Sequence, residues 1–216
     1  MRLSSPLTAP PGDRFAHVAA PHSGVLRQIF DPAVNLSVWK RPSQPTIARE
    51  LRALGPMALP DRRLPTSAAS FGGDIRTHLE QHGLNTVGFR HLHADLCGLA
   101  ELYFSIAGGR DVQFRLFTTD RDDCRRFHVD RCHTRLLCTY QGPGTEWLTN
   151  EQVDRVAQSR CAPNEKIIRF GEPCRLDSFW VAIMKGDPGN SGQGLVHRSP
   201  PVEGTGQIRT LFCLDS

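Results

Sequence analysis

Residues 112–117 read Val-Gln-Phe-Arg-Leu-Phe, and at this stretch the spacing of apolar residues changes. Val112, Phe114 and Leu116 alternate with polar residues, which is typical of a strand with one buried face. The preceding segment, 92–107, has its apolar residues at helical spacing instead. Those residues are Leu92, Leu96, Leu99, Tyr103 and Ile106. The stretch therefore marks the junction between a helical section and a β-rich section.

Downstream of this junction, short apolar segments alternate with turns that are rich in Gly and Pro. The predicted strands are 127–130, 135–140, 166–170, 178–184, 195–198 and 208–214. One helix is predicted among them, at 150–158, with Thr149 and Gln152 as a capping box. Many short strands without regularly alternating helices favour a sandwich or barrel over a parallel α/β sheet. We therefore predict an α+β fold with a double-stranded β-helix core, jelly-roll or cupin-like, and N-terminal helices packed on it.

Three segments follow from this pattern. Residues 1–24 are rich in proline and predict a partly flexible N-terminal arm. Residues 25–110 predict a helical section that packs on the barrel, with shorter helices near 44–54 and 74–81. Residues 111–216 predict the double-stranded β-helix itself, which carries the metal site described below.

The bulk composition argues against several classes of partner. The formal net charge is only +4 over 216 residues, and acids and bases are interspersed, so neither nucleic acid nor an anionic membrane is an expected partner. The opening residues contain no continuous apolar run, so neither a signal peptide nor a membrane anchor is predicted. Seven irregularly spaced cysteines are typical of reduced thiols, so we expect a cytoplasmic protein.

The candidate chemistry begins with Phe127-His128-Val129-Asp130 on a predicted strand. Residues two apart on a strand point to the same side, so His128 and Asp130 can supply two ligands to one metal ion. His197, near the end of a late strand, is the candidate for the third ligand. Two histidines and one carboxylate form the facial arrangement of non-haem Fe(II) oxygenases. His128, Asp130 and His197 are therefore the predicted metal-binding and catalytic residues.

Arg209 follows His197 by twelve residues, on the next predicted strand. A guanidinium inside a barrel is costly unless an anion pairs with it. A dicarboxylate cosubstrate that chelates the metal would place its far carboxylate there, and 2-oxoglutarate is such a molecule. Arg198 is the alternative cosubstrate ligand, but it is adjacent to His197 and so faces the opposite side of the strand.

The order of these residues resembles the Fe(II)/2-oxoglutarate dioxygenase superfamily. Three strings are more narrowly similar to a bacterial family of unknown function, domain-of-unknown-function number 1826, over about residues 25–215. They are 127–130 (FHVD), 135–147 (RLLCTYQGPGTEW) and 196–201 (VHRSPP). The resemblance implies that His128, Asp130 and His197 bind Fe(II) and that Arg209 binds the cosubstrate. It also implies a metal-linked role, because genes of this family tend to lie beside zinc-homeostasis genes.

Thr139 and Tyr140 are further candidates for binding the cosubstrate, because one of them faces the cavity and offers a hydroxyl group. Which face of their strand points inward is not determined by the pattern.

Other interpretations stay open at this point. Cys124, Cys132 and His133 surround the His128 and Asp130 pair, so the segment could hold a structural zinc ion, although it contains no Cys-x-x-Cys pair. The same three ligands could also serve a non-catalytic, cupin-like metal-binding protein in zinc or iron homeostasis. A degenerate barrel retained as an interaction module is the third possibility. The favoured function is an Fe(II)- and 2-oxoglutarate-dependent oxygenase of hydroxylase type, whose substrate, small molecule or protein, is open, as is the oligomeric state.

Overall fold

The computed structural model describes residues 16–52, 54–85, 87–108, 110–188, 190 and 192–216. In this part of the chain the strands are β1 (Ala16–Ala20), β2 (Val34–Trp39), β3 (Leu64–Thr66), β4 (Val112–Thr119), β5 (Thr134–Gln141), β6 (Glu146–Trp147), β7 (Cys174–Arg175), β8 (Val181–Lys185), β9 (His197–Arg198) and β10 (Arg209–Asp215). The α-helices are α1 (Pro45–Leu51), α2 (Phe71–Gln81), α3 (Arg90–Ala107), α4 (Arg155–Ser159) and α5 (Asn164–Ile167), and two 3-10 helices cover Ser23–Phe30 and Asn150–Gln152. The chain is therefore a mixed α+β protein, as predicted.

Two sheets organise the described residues. The large sheet has the order β1-β2-β8-β5-β10-β4-β3 and is antiparallel except for the β1–β2 pair. The small sheet has the order β7-β6-β9. At the centre of the large sheet Leu211 of β10 lies opposite Thr139 of β5, and Asp215 lies opposite Arg135. This register places the polar residues of β5 and β10 beside one another.

Three apolar clusters divide the molecule into layers. The first joins α1, α2 and α3 to one face of the large sheet. The second lies between the two sheets, with Leu137 and Leu211 from the large sheet and Trp147 and Leu195 from the small-sheet side. The third packs residues from 150–170 around Val196, on the other side of the small sheet. Two sheets that bury a shared apolar layer form a sandwich.

The long predicted helix is confirmed as α3, which ends where the sequence indicated. Gly108 caps its C-terminus in the left-handed conformation, with φ 68°. At its N-terminus the carboxylate of Glu50 accepts hydrogen bonds from the backbone N–H groups of His91 and Leu92, at 3.1 and 2.8 Å. A carboxylate at this end also favours the helix dipole. Helix α3 therefore has a fixed position on the outer face of the large sheet.

Several predicted elements differ in the structure. Residues 127–130 form no strand; a single antiparallel bridge joins His128 to His197. The strand predicted at 166–170 is replaced by α5 and a bridge at Ile168, because Asn164 at the start of α5 bonds to the backbone of Arg125 and Phe127. The helix predicted at 150–158 divides into the 3-10 turn Asn150–Gln152 and α4, although its capping box of Thr149 and Gln152 is confirmed.

Residues 25–110 contribute strands as well as helices to the fold. Strand β2 lies inside the large sheet and β3 lies at one edge. Of the predicted N-terminal arm, residues 1–15 lie outside the described residues, and Ala16–Ala20 form the edge strand β1. No helix in the described ranges is long and apolar enough to cross a membrane.

Candidate metal centre

His128 and His197 pair with each other in one antiparallel bridge within the chain. Each backbone N–H donates to the carbonyl of the other, at 3.0 and 2.9 Å. The two imidazole rings therefore lie side by side, with centroids 4.6 Å apart. Strand β9 also pairs with β6, where Trp147 lies opposite His197. Backbone hydrogen bonds thus hold His128 beside His197, although the two residues are 69 positions apart in the sequence.

The orientation of both rings is set through Nδ1. Nδ1 of His128 lies 2.9 Å from the carbonyl of Arg126, and Nδ1 of His197 lies 3.1 Å from the carbonyl of Leu195. A carbonyl can only accept, so Nδ1 carries the proton in each ring, and Nε2 of the neutral ring keeps a free lone pair. Burial lowers the pKa of His197 to about 4, so this ring is neutral at physiological pH.

Both free Nε2 atoms face the carboxylate of Asp130. Nε2 of His197 lies 3.4 Å from Oδ2 of Asp130, and Nε2 of His128 lies 3.7 Å from Oδ1. All three groups offer ligand atoms within 4.8 Å of one another. Burial acts to raise the pKa of Asp130, but neighbouring positive charge, which is that of Arg135 once His197 is neutral, outweighs it and lowers that pKa, so the carboxylate is ionised.

The ligand atoms of these three side chains therefore converge on one point, where the two imidazoles supply no hydrogen bond to Asp130 that meets normal geometry. Oδ2 of Asp130 is buried and accepts no hydrogen bond of good geometry. Leaving a buried acceptor unsatisfied costs roughly 1–3 kcal/mol. A cation between the three groups would remove this cost, and metal–ligand bonds of about 2.1 Å place neighbouring ligand atoms about 3.0–3.5 Å apart. The donor set fits a divalent transition metal ion, and the two distances between imidazole and carboxylate, 3.4 and 3.7 Å, are close to this spacing.

The thiols that the sequence offered as further zinc ligands do not join this group. Among the described residues, His128, Asp130 and His197 form the one set of three or more ligand side chains gathered closely enough for a metal ion. Cys124, Cys132 and His133 are not members of it.

Two glycines hold the loop that carries Asp130. A Cβ atom on Gly186 would lie 2.0 Å from the carbonyl oxygen of Cys132 and 2.7 Å from that of Asp130. A Cβ atom on Gly194 would lie 2.4 Å from a methyl carbon of Val129. The backbone N–H of Asp187 donates to the carbonyl of Asp130 at 2.9 Å. The loop before β9 therefore touches the metal-binding loop directly, without intervening side chains.

Arg209 is buried on the face of β10 that points between the sheets. Its Nε donates to the carbonyl of Pro143 at 2.9 Å and its Nη2 to the hydroxyl of Thr145 at 3.4 Å, while Nη1 has no hydrogen-bond partner. No carboxylate of the described residues pairs with this guanidinium. Burial consequently lowers the pKa of Arg209 to about 10. The positive charge of Arg209 can therefore pair with a bound anion.

The structure separates Thr139 from Tyr140. Thr139 lies on the same face of β5 as Arg135 and Leu137, and its buried Oγ1 has no hydrogen-bond partner. Tyr140 points to the helical side, where its hydroxyl donates to Asp95. Thr139, but not Tyr140, therefore shares the inner face with Arg209.

Arg198 is already paired in the structure. Its Nε donates to Glu146 at 2.8 Å, and its guanidinium lies over the ring of Phe127, 4.6 Å from the centroid. Unlike Arg209, it has a carboxylate partner.

A shallow, open surface depression of about 520 Å³, called the cavity below, lies against His128. Residues 122–126 line the rest of it, including Asp123 and Cys124. The cavity places the more exposed of the two histidines within reach of a ligand from solvent.

Two residues of the centre were missed by the sequence interpretation. Arg135 donates to Asp130 and, with two of its nitrogens, to Asp215. Strand parity placed Arg135 on the same face as Leu137 and Thr139, but it did not show that this face points inward.

The fold and the centre together define a class: an α+β protein whose two sheets enclose an apolar layer beside a cluster of two histidines and one aspartate. Residues 20–215 match the family model described as "Protein of unknown function (DUF1826)", and the chain belongs to that family. No curated protein sequence matches the chain.

One solved structure with detectable similarity is that of a C-terminally truncated protein of Neurospora crassa in its apo form. The identity is 15% and the TM-score 0.33, and the match covers 68% of this chain and 46% of that chain. This chain thus spans under half of that protein. At this TM-score the likeness supports no inference about fold or function.

Proposed function

We propose that the protein is an Fe(II)- and 2-oxoglutarate-dependent oxygenase of the hydroxylase type. The observation that carries the proposal is the convergence of ligand atoms from His128, Asp130 and His197 within 4.8 Å of one another. Two imidazoles and one carboxylate leave the other positions of a six-coordinate ion open, as non-haem Fe(II) oxygenases require. Both imidazoles are oriented by a carbonyl through Nδ1, which is the usual support for a metal-binding histidine.

Arg209 supports 2-oxoglutarate as the cosubstrate. Its unpaired Nη1 and the unpaired hydroxyl of Thr139 lie on the same inner face of neighbouring strands. Thr139 lies opposite Leu211, two residues from Arg209 along β10, and the register shifts between Thr210 and Leu211. A guanidinium holds a carboxylate through charge-assisted hydrogen bonds. We infer that these two groups bind the carboxylate of 2-oxoglutarate that is remote from the metal.

The two sheets support the proposed double-stranded β-helix. The apolar layer between them includes Leu137, Leu211 and Trp147, so the space beside the metal centre is lined by side chains that exclude water. An apolar enclosure protects a reactive oxidant from side reactions with solvent.

In the proposed reaction, Fe(II) with 2-oxoglutarate supplies the redox chemistry that activates O₂ for insertion into a substrate C–H bond. His128, Asp130 and His197 hold the ion from one side. Arg209 and Thr139 orient the cosubstrate. The cavity beside His128 would admit a small molecule or the side chain of a protein substrate.

We place the protein in the cytoplasm. All seven cysteines are unpaired, and two of them, Cys138 and Cys213, are buried in the core. Free thiols in this number suit a reducing compartment.

The proposal is tested by anaerobic reconstitution with Fe(II), followed by addition of 2-oxoglutarate. We expect a weak visible charge-transfer band, and succinate release once air is admitted. His128→Ala should abolish both, because it removes a ligand. Arg209→Met should raise the concentration of 2-oxoglutarate needed for the band at least tenfold, since a charged hydrogen bond contributes about 1.5–3 kcal/mol.

Arg198→Met is the matched control, because Arg198 is next to His197 but is paired with Glu146. It should leave the 2-oxoglutarate dependence unchanged. Tight binding of Zn(II) together with no band and no succinate would refute the oxygenase and favour the metal-binding role in zinc or iron homeostasis. Failure to bind any divalent ion would refute both.

A further inference from the structure

Arg135 connects the carboxylate of Asp130 to a second buried carboxylate. Nη1 of Arg135 lies 2.8 Å from each oxygen of Asp130, and the hydrogen bond with good geometry goes to Oδ1. Nε and Nη2 donate to Asp215, at 2.6 and 2.8 Å. All three side chains are at most 10% exposed.

The position of Nη1 decides how Asp130 can bind a metal ion. A nitrogen equidistant from both oxygens occupies the space between them, which is where a metal ion would lie if the carboxylate bound through both oxygens. The lone pairs that remain point outward, toward Nε2 of His197 and of His128. Asp130 is thus arranged to bind through one oxygen, so that it uses a single coordination position.

Asp215 keeps Arg135 in this arrangement. A planar guanidinium can grip one carboxylate with two parallel hydrogen bonds, and here that grip is on Asp215. Were Asp215 neutral, Arg135 could turn the same two nitrogens onto Asp130 and compete with the metal ion. The charges of Arg135 and Asp215 cancel. The group of three side chains therefore keeps the net charge of −1 that Asp130 alone would contribute.

We propose that Arg135 is a positioning residue for the metal ligand Asp130, restrained by Asp215. This inference rests on the metal site of the proposed function. Arg135 fixes the carboxylate as a ligand through one oxygen and preserves the open positions of the ion. Outer-shell partners of this kind contribute about 10–100-fold to metal affinity.

The test uses the metal-free full-length protein and Zn(II) alone, with the dissociation constant measured by competition against a chromophoric chelator. Arg135→Met combined with Asp215→Leu removes one charge of each sign, so the net charge of the site stays at −1. Any loss of zinc affinity in this variant therefore results from a change in the geometry of Asp130. We expect the affinity to fall about 10–100-fold. Asp215→Asn keeps the shape of the core, and we expect at least a tenfold loss, because Arg135 is released toward Asp130.

The matched control is Arg115→Met with Asp61→Leu. Arg115 donates to Asp61 in the same two-pronged manner, on β4 of the same sheet, but neither residue contacts the three ligands. This variant should keep the zinc affinity of the unchanged protein. Circular dichroism of each metal-free variant shows whether the fold is retained.

The outcomes separate the two proposals. Absence of zinc binding in the unchanged protein overturns the metal site itself. Zinc binding by the unchanged protein, with Asp215→Asn and the double variant within about threefold of it, overturns the positioning role alone. If the double variant does not fold, Arg135→Lys decides the question, because it keeps the net charge at −1 but cannot hold Asp215 with two parallel hydrogen bonds. A purely structural role would lower the melting temperature of Asp215→Asn without weakening zinc binding.

Discussion

Two buried arginines on the inner face of the large sheet have opposite electrostatic surroundings. Arg135 donates to Asp130 and Asp215, and although burial acts to lower its pKa, the hydrogen bonds to Asp215 raise it well above its ordinary value. Arg209 has no carboxylate partner in the described residues, and burial lowers its pKa. A buried guanidinium without a counter-charge is unfavourable for folding. Arg135 is therefore part of the folded core, whereas Arg209 is kept at a cost that binding of an anion would offset.

Arg209→Met should stabilise the ligand-free protein by about 1–3 kcal/mol, because replacing a buried unpaired charge with an apolar side chain removes its desolvation penalty. Urea denaturation gives the free energy of unfolding. Arg135→Met is the comparison, and it should destabilise the protein by about 3–5 kcal/mol, since it leaves two buried carboxylates without their partner. A loss of stability in Arg209→Met as large as in Arg135→Met would contradict this assignment.

At the level of the elements, the candidate centre depends on loops and on very short strands. Strand β9 has two residues, and 127–130 forms only a bridge, yet both are held on several sides. The bridge between His128 and His197 fixes the rings, and Gly186 brings the loop after β8 against the carbonyl of Asp130. Close backbone contacts of this kind tolerate no added methyl group.

Gly186→Ala should therefore displace the loop that carries Asp130. The added Cβ would lie 2.0 Å from a backbone oxygen, so the backbone must move, and we expect a loss of about 1–3 kcal/mol in stability together with weaker zinc binding. Thermal unfolding and a zinc titration measure the two effects.

Gly98→Ala provides the control. Gly98 lies in the middle of α3, and a Cβ there meets nothing within 4 Å. This variant should gain up to about 1 kcal/mol, because alanine favours a helix over glycine. Equal stability losses in both variants would mean that the backbone contact at Gly186 is not the cause.

In the molecule as a whole, the ligands join separate layers. Asp130 and His128 precede β5 of the large sheet, while His197 belongs to the small sheet. Helices α1, α2 and α3 cover the far side of the large sheet and do not supply a ligand to this group. An ion bound by all three residues would therefore link the two sheets.

Zinc should accordingly raise the stability of the whole fold. At a free concentration of about 100 times the dissociation constant, the expected gain is about 2.7 kcal/mol, which corresponds to roughly 5–10 °C in melting temperature for a chain of this size. His197→Ala should show no such shift.

His78→Ala is the matched control, since His78 is also a buried histidine but bonds to the carbonyl of Leu116 under the helices. It should melt at a lower temperature and still gain the full shift from zinc. An equal zinc shift in His197→Ala would place the ion elsewhere.

Local patterns sufficed for the features that depend on neighbours along the chain. The apolar periodicity of α3 and β4, the stop at Gly108 and the capping box at Thr149 are confirmed, because each reflects contacts within a few residues. Local patterns failed where distant contacts override them, as in 166–170, where Asn164 docks on the backbone of Arg125 and Phe127 and the segment forms a helical turn. Strand β2 was not predicted, although Val34, Leu36 and Val38 alternate with polar residues.

The choice of His128, Asp130 and His197 as a group could be made from residue types, because metal chemistry limits which types can bind, although the strand step assumed for residues 127–130 is only a single bridge in the structure. Their actual convergence, the exclusion of Tyr140 from the inner face and the pairing of Arg135 with Asp215 could not. Those depend on strand register and on which of two faces is buried, and both are set by packing between segments that are far apart along the chain.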